Sequence, residues 1–315
     1  MKNLKKIKGD ASFREFFRKK IKTSSSIIVF AKKDKFKNLL IYDAINKILK
    51  KNKILAPKLY NENYAENYIE IEDFGKETIF KRLNKKKTNQ INYFKKIISL
   101  LNDIQSIKDR KIKNFKNNNY TIPKYDKQIL IKEANLFCDW YAQKYLARKN
   151  LKKFKKEFKF IIKKLTSKLK LKNNFFVHRD FHVSNLMLVN SKIGVIDSQD
   201  ALVGNKAYDL ASLIDDVRFK TSKSLKKRIF DFYVKKQKKL NLHKFKNDFE
   251  ILSVLRNLKI IGIFTRLALR DRKKKYLELI PYAWKLINMR INENYELRDL
   301  KNLLTLNFKK KLNEN

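Results

Sequence analysis

Three short apolar runs, at residues 175–177, 186–189 and 193–196, follow one another closely and are each broken by polar turn residues. None is long enough for a helix, so the pattern predicts small strands that present loops. The loops carry an ordered polar set. His178-Arg179-Asp180-Phe181-His182-Val183-Ser184-Asn185 follows the first run, and Asp197 follows the third. Asp, Asn and His are ordinary turn residues one at a time. The order H-x-D-x4-N, an apolar hairpin and then Asp is much more demanding. It supplies what phosphoryl transfer needs: a carboxylate to orient an attacking hydroxyl, and oxygen ligands that hold Mg²⁺ against nucleotide phosphates. Apolar strands on either side would fix the loops, and in such a reaction positioning and charge neutralisation do most of the work.

The first 75 residues read as strands around one helix. Residues 12–21 and 25–32 are aromatic- and β-branched-rich runs that predict a hairpin. Phe36, Leu39, Leu40, Ala44, Ile45, Ile48 and Leu49 have helical spacing, and Ala56-Pro57 closes that unit. Residues 68–71 predict a short strand leading into Glu72-Asp73-Phe74-Gly75. Beyond Gly75 the pattern is mostly helical. Thr88 is placed to cap a helix with the apolar face Ile91, Phe94, Ile97, Ile98, Leu101 and Ile104. A second helix is expected over about 126–148, a lysine-rich one to about 170, and helices again from Ala207 to the end. The expected fold class is α+β, bilobal, with a small α/β N-lobe at residues 1–75 and a mainly helical C-lobe at 76–315.

The 43% hydrophobic content suits a sizeable core, and a single cysteine, Cys138, excludes an internal disulfide. The N-terminal MKNLKKIKGDASF is basic without a following apolar run, and the longest apolar runs are far too short to span a bilayer. A cytoplasmic protein with no membrane partner is expected. The net charge of +46 suggests a nucleic-acid binder. However, lysines occupy nearly every segment instead of one patch, as compositional drift toward Lys, Asn and Ile would leave them. The charge disfavours polycationic substrates and helps draw in anionic ones.

HRDFHVSN followed by GVIDSQD resembles the catalytic loop and metal-binding Asp of the protein-kinase-like fold. More narrowly it resembles the aminoglycoside phosphotransferase/choline kinase superfamily. The continuation ALVGNKAYDLASLIDD resembles it too. GDASFREFF, IEDFG, GVIDSQDALVG and RNLKIIGIFTRLALRD together are similar to bacterial anomeric sugar kinases, which phosphorylate the amino sugars N-acetylmuramate and N-acetylglucosamine of cell-wall recycling at the C1 hydroxyl. The resemblance implies ATP and Mg²⁺ as cofactors and a neutral or anionic sugar as the small-molecule substrate. It implies Asp180 as catalytic base and Asn185 and Asp197 as Mg²⁺ ligands. His178 and Asp209 would support the loop, and Glu72 to Gly75, with Glu72 and Phe74, would form the hinge that contacts adenine. Gly9 to Arg14 stand where kinases have a phosphate-covering hairpin, without the G-x-G-x-x-G. Ser12 and Arg14 could still meet phosphates there. Lys32 is the candidate for the phosphate-contacting strand lysine. The anomeric kinases usually carry an aromatic after the metal Asp, where this chain has Ser198.

Gln199 and Asp200 are candidates to face the sugar. Arg256, Lys259 and Arg266 are spaced to lie near one face of a helix, and arginine suits a carboxylate such as a lactyl group. Two rival functions remain open at this point. One is a kinase for another hydroxyl metabolite, of the aminoglycoside, choline or homoserine kinase type. The other is a nucleic-acid-binding pseudokinase, against which Asp180, Asn185 and Asp197 all stand intact.

Overall fold

The computed structural model describes residues 4–7, 14–21, 24–32, 37–86 and 88–313. Gly9, Ser12, Lys33 and Phe36 therefore lie outside the described residues. In chain order the elements begin with β1 (Leu4–Ile7), β2 (Glu15–Ile21), β3 (Ser24–Phe30), α1 (Lys37–Lys51), β4 (Leu59–Asn63), β5 (Tyr68–Glu72), α2 (Ile79–Leu83), α3 (Gln90–Ser106), β6 (Lys111–Lys113) and β7 (Asn119–Thr121). Helices α4 (Lys127–Leu136), α5 (Gln143–Tyr145) and α6 (Arg148–Ser167) follow, then β8 (Asn173–Val177), β9 (Leu186–Val189), β10 (Lys192–Val195) and β11 (Leu202–Asn205). The chain ends in α7 (Ala207–Ile214), α8 (Lys223–Lys235), α9 (Leu242–Leu269), α10 (Ile280–Glu293) and α11 (Arg298–Asn313).

By packing, the chain forms two compact units: Met1–Pro123 with Phe175–Val203, and Lys124–Asn174 with Gly204–Asn315. This partition differs from a division after residue 75. The β9–β10 hairpin is bonded to the sheet-bearing segment through Val195 N–H to the Leu55 carbonyl and Leu188 N–H to the Glu77 carbonyl, both 2.8 Å.

Unit 1 is organised by a five-stranded antiparallel sheet of order β1-β2-β3-β5-β4. The expected hairpin is β2–β3, in register from Glu15 opposite Phe30 to Ile21 opposite Ser24. Alternation on β3 and β5 buries Ile27, Val29, Ile69 and Ile71 on one face, where Leu39 and Tyr42 of α1 join them. Strand β4 escaped the sequence reading: LYNEN is polar, and a bulge between Leu59 and Asn61 breaks its period. The cap of α3 is Asn89, whose side chain accepts from the Asn92 N–H, and not Thr88, whose hydroxyl donates to the Arg82 carbonyl.

Unit 2 is helical around one aromatic core. Phe154, Phe158, Ile162 and Leu165 give α6 its apolar stripe. Phe137, Tyr141, Phe154, Phe158, Trp284 and Phe308 pack ring on ring, and the Trp284 indole N–H donates to the Tyr141 hydroxyl at 3.1 Å. The helix expected over 126–148 is interrupted. After Leu136 the backbone widens into a π-helical turn, Phe137–Ala142. Gly262 of α9 abuts the start of this turn: a Cβ there would sit 2.3 Å from the Leu136 carbonyl carbon, so the two backbones touch where only glycine fits. Cys138 is buried in the π turn, and burial pushes its thiol up to about 12.

Candidate active site

Strand β8 delivers His178 into the interior, where the ring nitrogen Nε2 lies 3.1 Å from the Ile196 carbonyl. The chain then turns sharply. Arg179 takes φ +75°, and the His182 N–H bonds the Asp180 carbonyl at 3.0 Å. A 3₁₀ turn, Val183–Asn185, closes the loop. The Asn185 Nδ2 donates to the Asp180 carbonyl at 3.0 Å, and the Ile196 N–H donates to the Asn185 carbonyl at 3.1 Å. The loop is thus stitched at both ends to the residue before Asp197. Strands β9 and β10 pair from Leu186 opposite Val195 to Val189 opposite Lys192, turning through Asn190 and Ser191 with φ of 45° and 65°. Two positive φ values are what a tight two-residue hairpin turn requires.

Asp197 takes φ +61° and is 37% exposed at its side chain. Its Oδ1 accepts from Arg14 Nη2 at 2.7 Å and from Gln199 Nε2 at 3.2 Å. Gln199 also donates to Asp200 Oδ2 at 2.9 Å, and Arg179 Nη1 reaches the Asp200 carbonyl at 3.2 Å. Arg14 is buried, with its guanidinium 5.7 Å from the ring centres of both Phe16 and Tyr42. Burial pushes the Tyr42 phenol up to about 12, with Arg14 opposing and Asp197 reinforcing the shift. Ser198 is fully buried, and its Oγ donates to Asn46 Oδ1 on α1 at 2.7 Å. A hydrogen bond to α1 therefore stands where the resembled kinases carry an aromatic.

The arrangement suits a small hard cation. Asn185 commits its amide N–H groups to the chain, which leaves its Oδ1 as the ligand atom. Asp197 Oδ2 accepts no hydrogen bond among the described residues. One amide oxygen and one carboxylate are too few for a closed protein cage. They match Mg²⁺, which takes one or two carboxylates and completes its shell with phosphate oxygens and water.

Of the residues singled out from sequence, unit 1 brings together Arg14, His178, Asp180, Asn185, Asp197, Gln199 and Asp200. Phe74 is buried with its ring against β10, where a Cβ on Gly194 would come within 2.7 Å of it. Glu72 accepts from the Lys58 N–H at 3.1 Å. Lys32 is exposed and makes no hydrogen bond or ion pair among the described residues. Asp209, Arg256 and Arg266 belong to unit 2. Asp209 is fully buried in the first turn of α7, Arg256 is buried on α9 and Arg266 half-buried there. Lys259 does not join the arginines: it pairs with Glu133 at 2.9 Å.

Sequence reasoning placed Asp73 in the hinge but missed its partner Arg18, with which it forms a two-pronged ion pair at 2.5 and 2.9 Å. Burial acts to raise the Asp73 carboxyl, but Arg18, Ser25 and the Gly75 N–H outweigh it and hold the group below the usual carboxylate range. It also missed Tyr42 and Asn46. The available signal was a polar Asn between Ile45 and Ile48 on the buried face of a helix.

No described helix is long and apolar enough to cross a membrane. A sequence profile described as the phosphotransferase enzyme family matches residues 3–241. An N-acetylmuramate/N-acetylglucosamine kinase of Neisseria meningitidis serogroup B is 29% identical, over 87% of this chain and 81% of its own length. One of Pseudomonas aeruginosa is 26% identical over 94% and 86%. Among solved structures, a Plasmodium vivax ethanolamine kinase superposes with a TM-score of 0.61 at 15% identity, covering 98% of this chain and 84% of that one. The aminoglycoside phosphotransferase APH(2'')-Ib with bound ADP gives 0.60 at 14% identity, covering 90% and 94%. The expected protein-kinase-like fold, an antiparallel sheet followed by a helical lobe, is therefore present, and so is the expected enzyme class. The chain belongs to the phosphotransferase enzyme family.

Proposed function

We propose that this enzyme transfers the γ-phosphoryl group of ATP to the anomeric hydroxyl of an N-acetylated amino sugar, N-acetylmuramate or N-acetylglucosamine. The observation that carries this reading is the stitched loop of unit 1, in which Asp180, Asn185 and Asp197 are tied to one another through the Asn185 amide and the Ile196 N–H. The relatives that bear the kinase name support the sugar assignment, since they align over most of both chains. Residues 1–75 would form the lobe that covers the nucleotide and 76–315 the catalytic and substrate-binding lobe. The enzyme would work in the cytoplasm.

In this reading Asp180 accepts a hydrogen bond from the sugar hydroxyl, aims its oxygen at the γ-phosphorus and takes the proton late, as the P–O bond forms. Mg²⁺, held by Asn185 Oδ1 and Asp197, would neutralise phosphate charge. Arg14, already beside Asp197, supplies a buried cation on the phosphate side and takes over from the strand lysine. That shift of role fits an exposed Lys32. Phe74 and the Glu72–Gly75 backbone would receive the adenine. His178 holds the loop through the Ile196 carbonyl.

The test is incubation with ATP, Mg²⁺ and each sugar. An acid-labile sugar 1-phosphate should appear, and Asp180→Ala should lower its rate by about 10³-fold or more. ATP turnover with other alcohols and none with these sugars would sink the substrate assignment.

A further inference from the structure

Unit 2 buries several cations, and nearly all have partners. Arg290 binds Asp215 through Nε at 2.9 Å and Nη2 at 3.2 Å and reaches Glu293 at 2.8 Å. Lys226 shares Asp215 at 3.2 Å, and Lys259 holds Glu133 at 2.9 Å. Among the fully buried cations Arg256 is the exception. It is 3% exposed, its Nη1 is sealed from solvent, and among the described residues it makes no hydrogen bond and no ion pair. Arginine cannot shed its proton to escape that position. A buried charge with no hydrogen-bond partner is costly, and a ligand that met it would remove that cost.

Two contacts fix how α7 lies along α9, which it packs against. At one end the Ser253 Oγ donates to Asp215 Oδ2 at 2.6 Å. At the other end Tyr208 packs edge-on against Tyr125 with ring centres 5.0 Å apart. The Tyr125 hydroxyl bonds Glu133, the partner of Lys259. Asp215 therefore lies at the level of Ser253, while Tyr208 is linked toward Lys259 through Tyr125 and Glu133. Ser212 on α7 and Arg256 with Asn257 on α9 fall between these two anchor points.

The same stretch concentrates further unmet polar atoms: Tyr208 Oη, Ser212 Oγ, Asp216 Oδ2 and Asn257 Oδ1 are all buried without a hydrogen bond among the described residues. One guanidinium fork and several hydroxyl-type and amide-type groups match a small hydroxylated molecule bearing one carboxylate.

We propose that the α7–α9 seam seats the substrate, with Arg256 gripping the carboxylate of an acidic N-acetyl sugar while Ser212, Tyr208 and Asn257 meet its hydroxyl and amide groups. The chain would accordingly prefer N-acetylmuramate, which carries a lactyl carboxylate, to the neutral N-acetylglucosamine. The choice of sugars rests on the function proposed above.

Calorimetric titration of the full chain with each sugar, without nucleotide, tests the seat, and steady-state kinetics with ATP tests its use. Wild type should bind N-acetylmuramate at least tenfold more tightly than N-acetylglucosamine. Arg256→Met should remove that preference: KM for N-acetylmuramate rises about tenfold or more, while KM for N-acetylglucosamine and kcat for both move less than twofold. Its Tm should stay level or rise, because an unpaired buried charge has gone. Arg256→Lys, which keeps the charge and loses the fork, should be intermediate, and it carries the test alone if Arg256→Met does not fold. A wild type without acid preference, an unchanged preference in the variants, or an equal loss for both sugars with a lowered Tm would each overturn the proposal. Arg256-dependent binding of N-acetylmuramate without phosphorylation of either sugar would leave the seat standing and refute the proposed reaction instead.

Discussion

Unit 1 and unit 2 each set an aspartate against an arginine. In unit 2 both oxygens of Asp215 are occupied, by Arg290, Lys226 and Ser253, and the side chain is fully buried. Burial acts to raise that carboxyl, yet Lys226 and Arg290 outweigh it and hold the group at about 2. In unit 1 Asp197 has one oxygen held by Arg14 and Gln199, and the other accepts no hydrogen bond among the described residues, on a side chain more than a third exposed. A saturated carboxylate fastens helices together. A half-saturated one retains capacity for a ligand, and its arginine keeps it aimed until that ligand comes.

If this contrast is right, the two aspartates fail in different ways. Asp197→Asn keeps the shape and an acceptor for Arg14 but removes the charge. It should lower kcat/KM by about 10³-fold, or about 4 kcal/mol of transition-state stabilisation, while Tm stays within about 3 °C. Coupled ADP release beside a thermal melt measures both, and a parallel collapse of Tm would place Asp197 with Asp215 as a fastener.

Asp215→Ala should do the reverse. Arg290 and Lys226 would be left buried against nothing, a loss of about 3–5 kcal/mol of stability, or roughly 10 °C in Tm. A variant that melts like wild type yet cannot turn over would erase the distinction.

A smaller effect lies beside the same cluster. Burial pushes the Glu250 carboxyl up to about 7, with Lys246 and Arg290 opposing and Glu293 reinforcing. The folded state then holds a proton that the unfolded chain releases near 4.5. The stability contributed by this group is complete below about pH 4.5 and lost as pH rises through 7. Glu250→Gln should therefore gain about 1–3 kcal/mol at pH 8 and almost nothing at pH 4, as read from urea melts at the two pH values. An equal change at both would show that the proton plays no part.

The catalytic loop was legible in sequence because its members are near neighbours whose spacing is itself the signal. Asp180, Asn185 and Asp197 need only one hairpin to bring them together. Arg14 and Asp197 are 183 residues apart, and nothing local announces their 2.7 Å contact. The sequence suggested Arg14 as a phosphate ligand and gave no hint of its partner. Ser198 stands out in sequence only as a departure from the usual aromatic, because its hydrogen bond goes to Asn46 on α1, 152 residues away. The grouping of Arg256 with Lys259 and Arg266 on one helix face was illegible for a different reason: α9 is buried almost all round along its 28 residues. No stripe separates inside from outside on such a helix. Strands β6 and β7, three residues each, are shorter than any period can reveal.

The π turn that accommodates Gly262 also encloses the chain's one thiol. Cys138 is 3% exposed and, at about 12, remains protonated at any working pH, so it offers alkylating reagents neither access nor a thiolate. The native protein is in this sense a blank for thiol chemistry. A cysteine introduced at an open position such as Phe160 would be the sole reactive sulfur. A fluorophore or spin label could then be attached there to follow the enzyme through its cycle without first removing a native residue from the core.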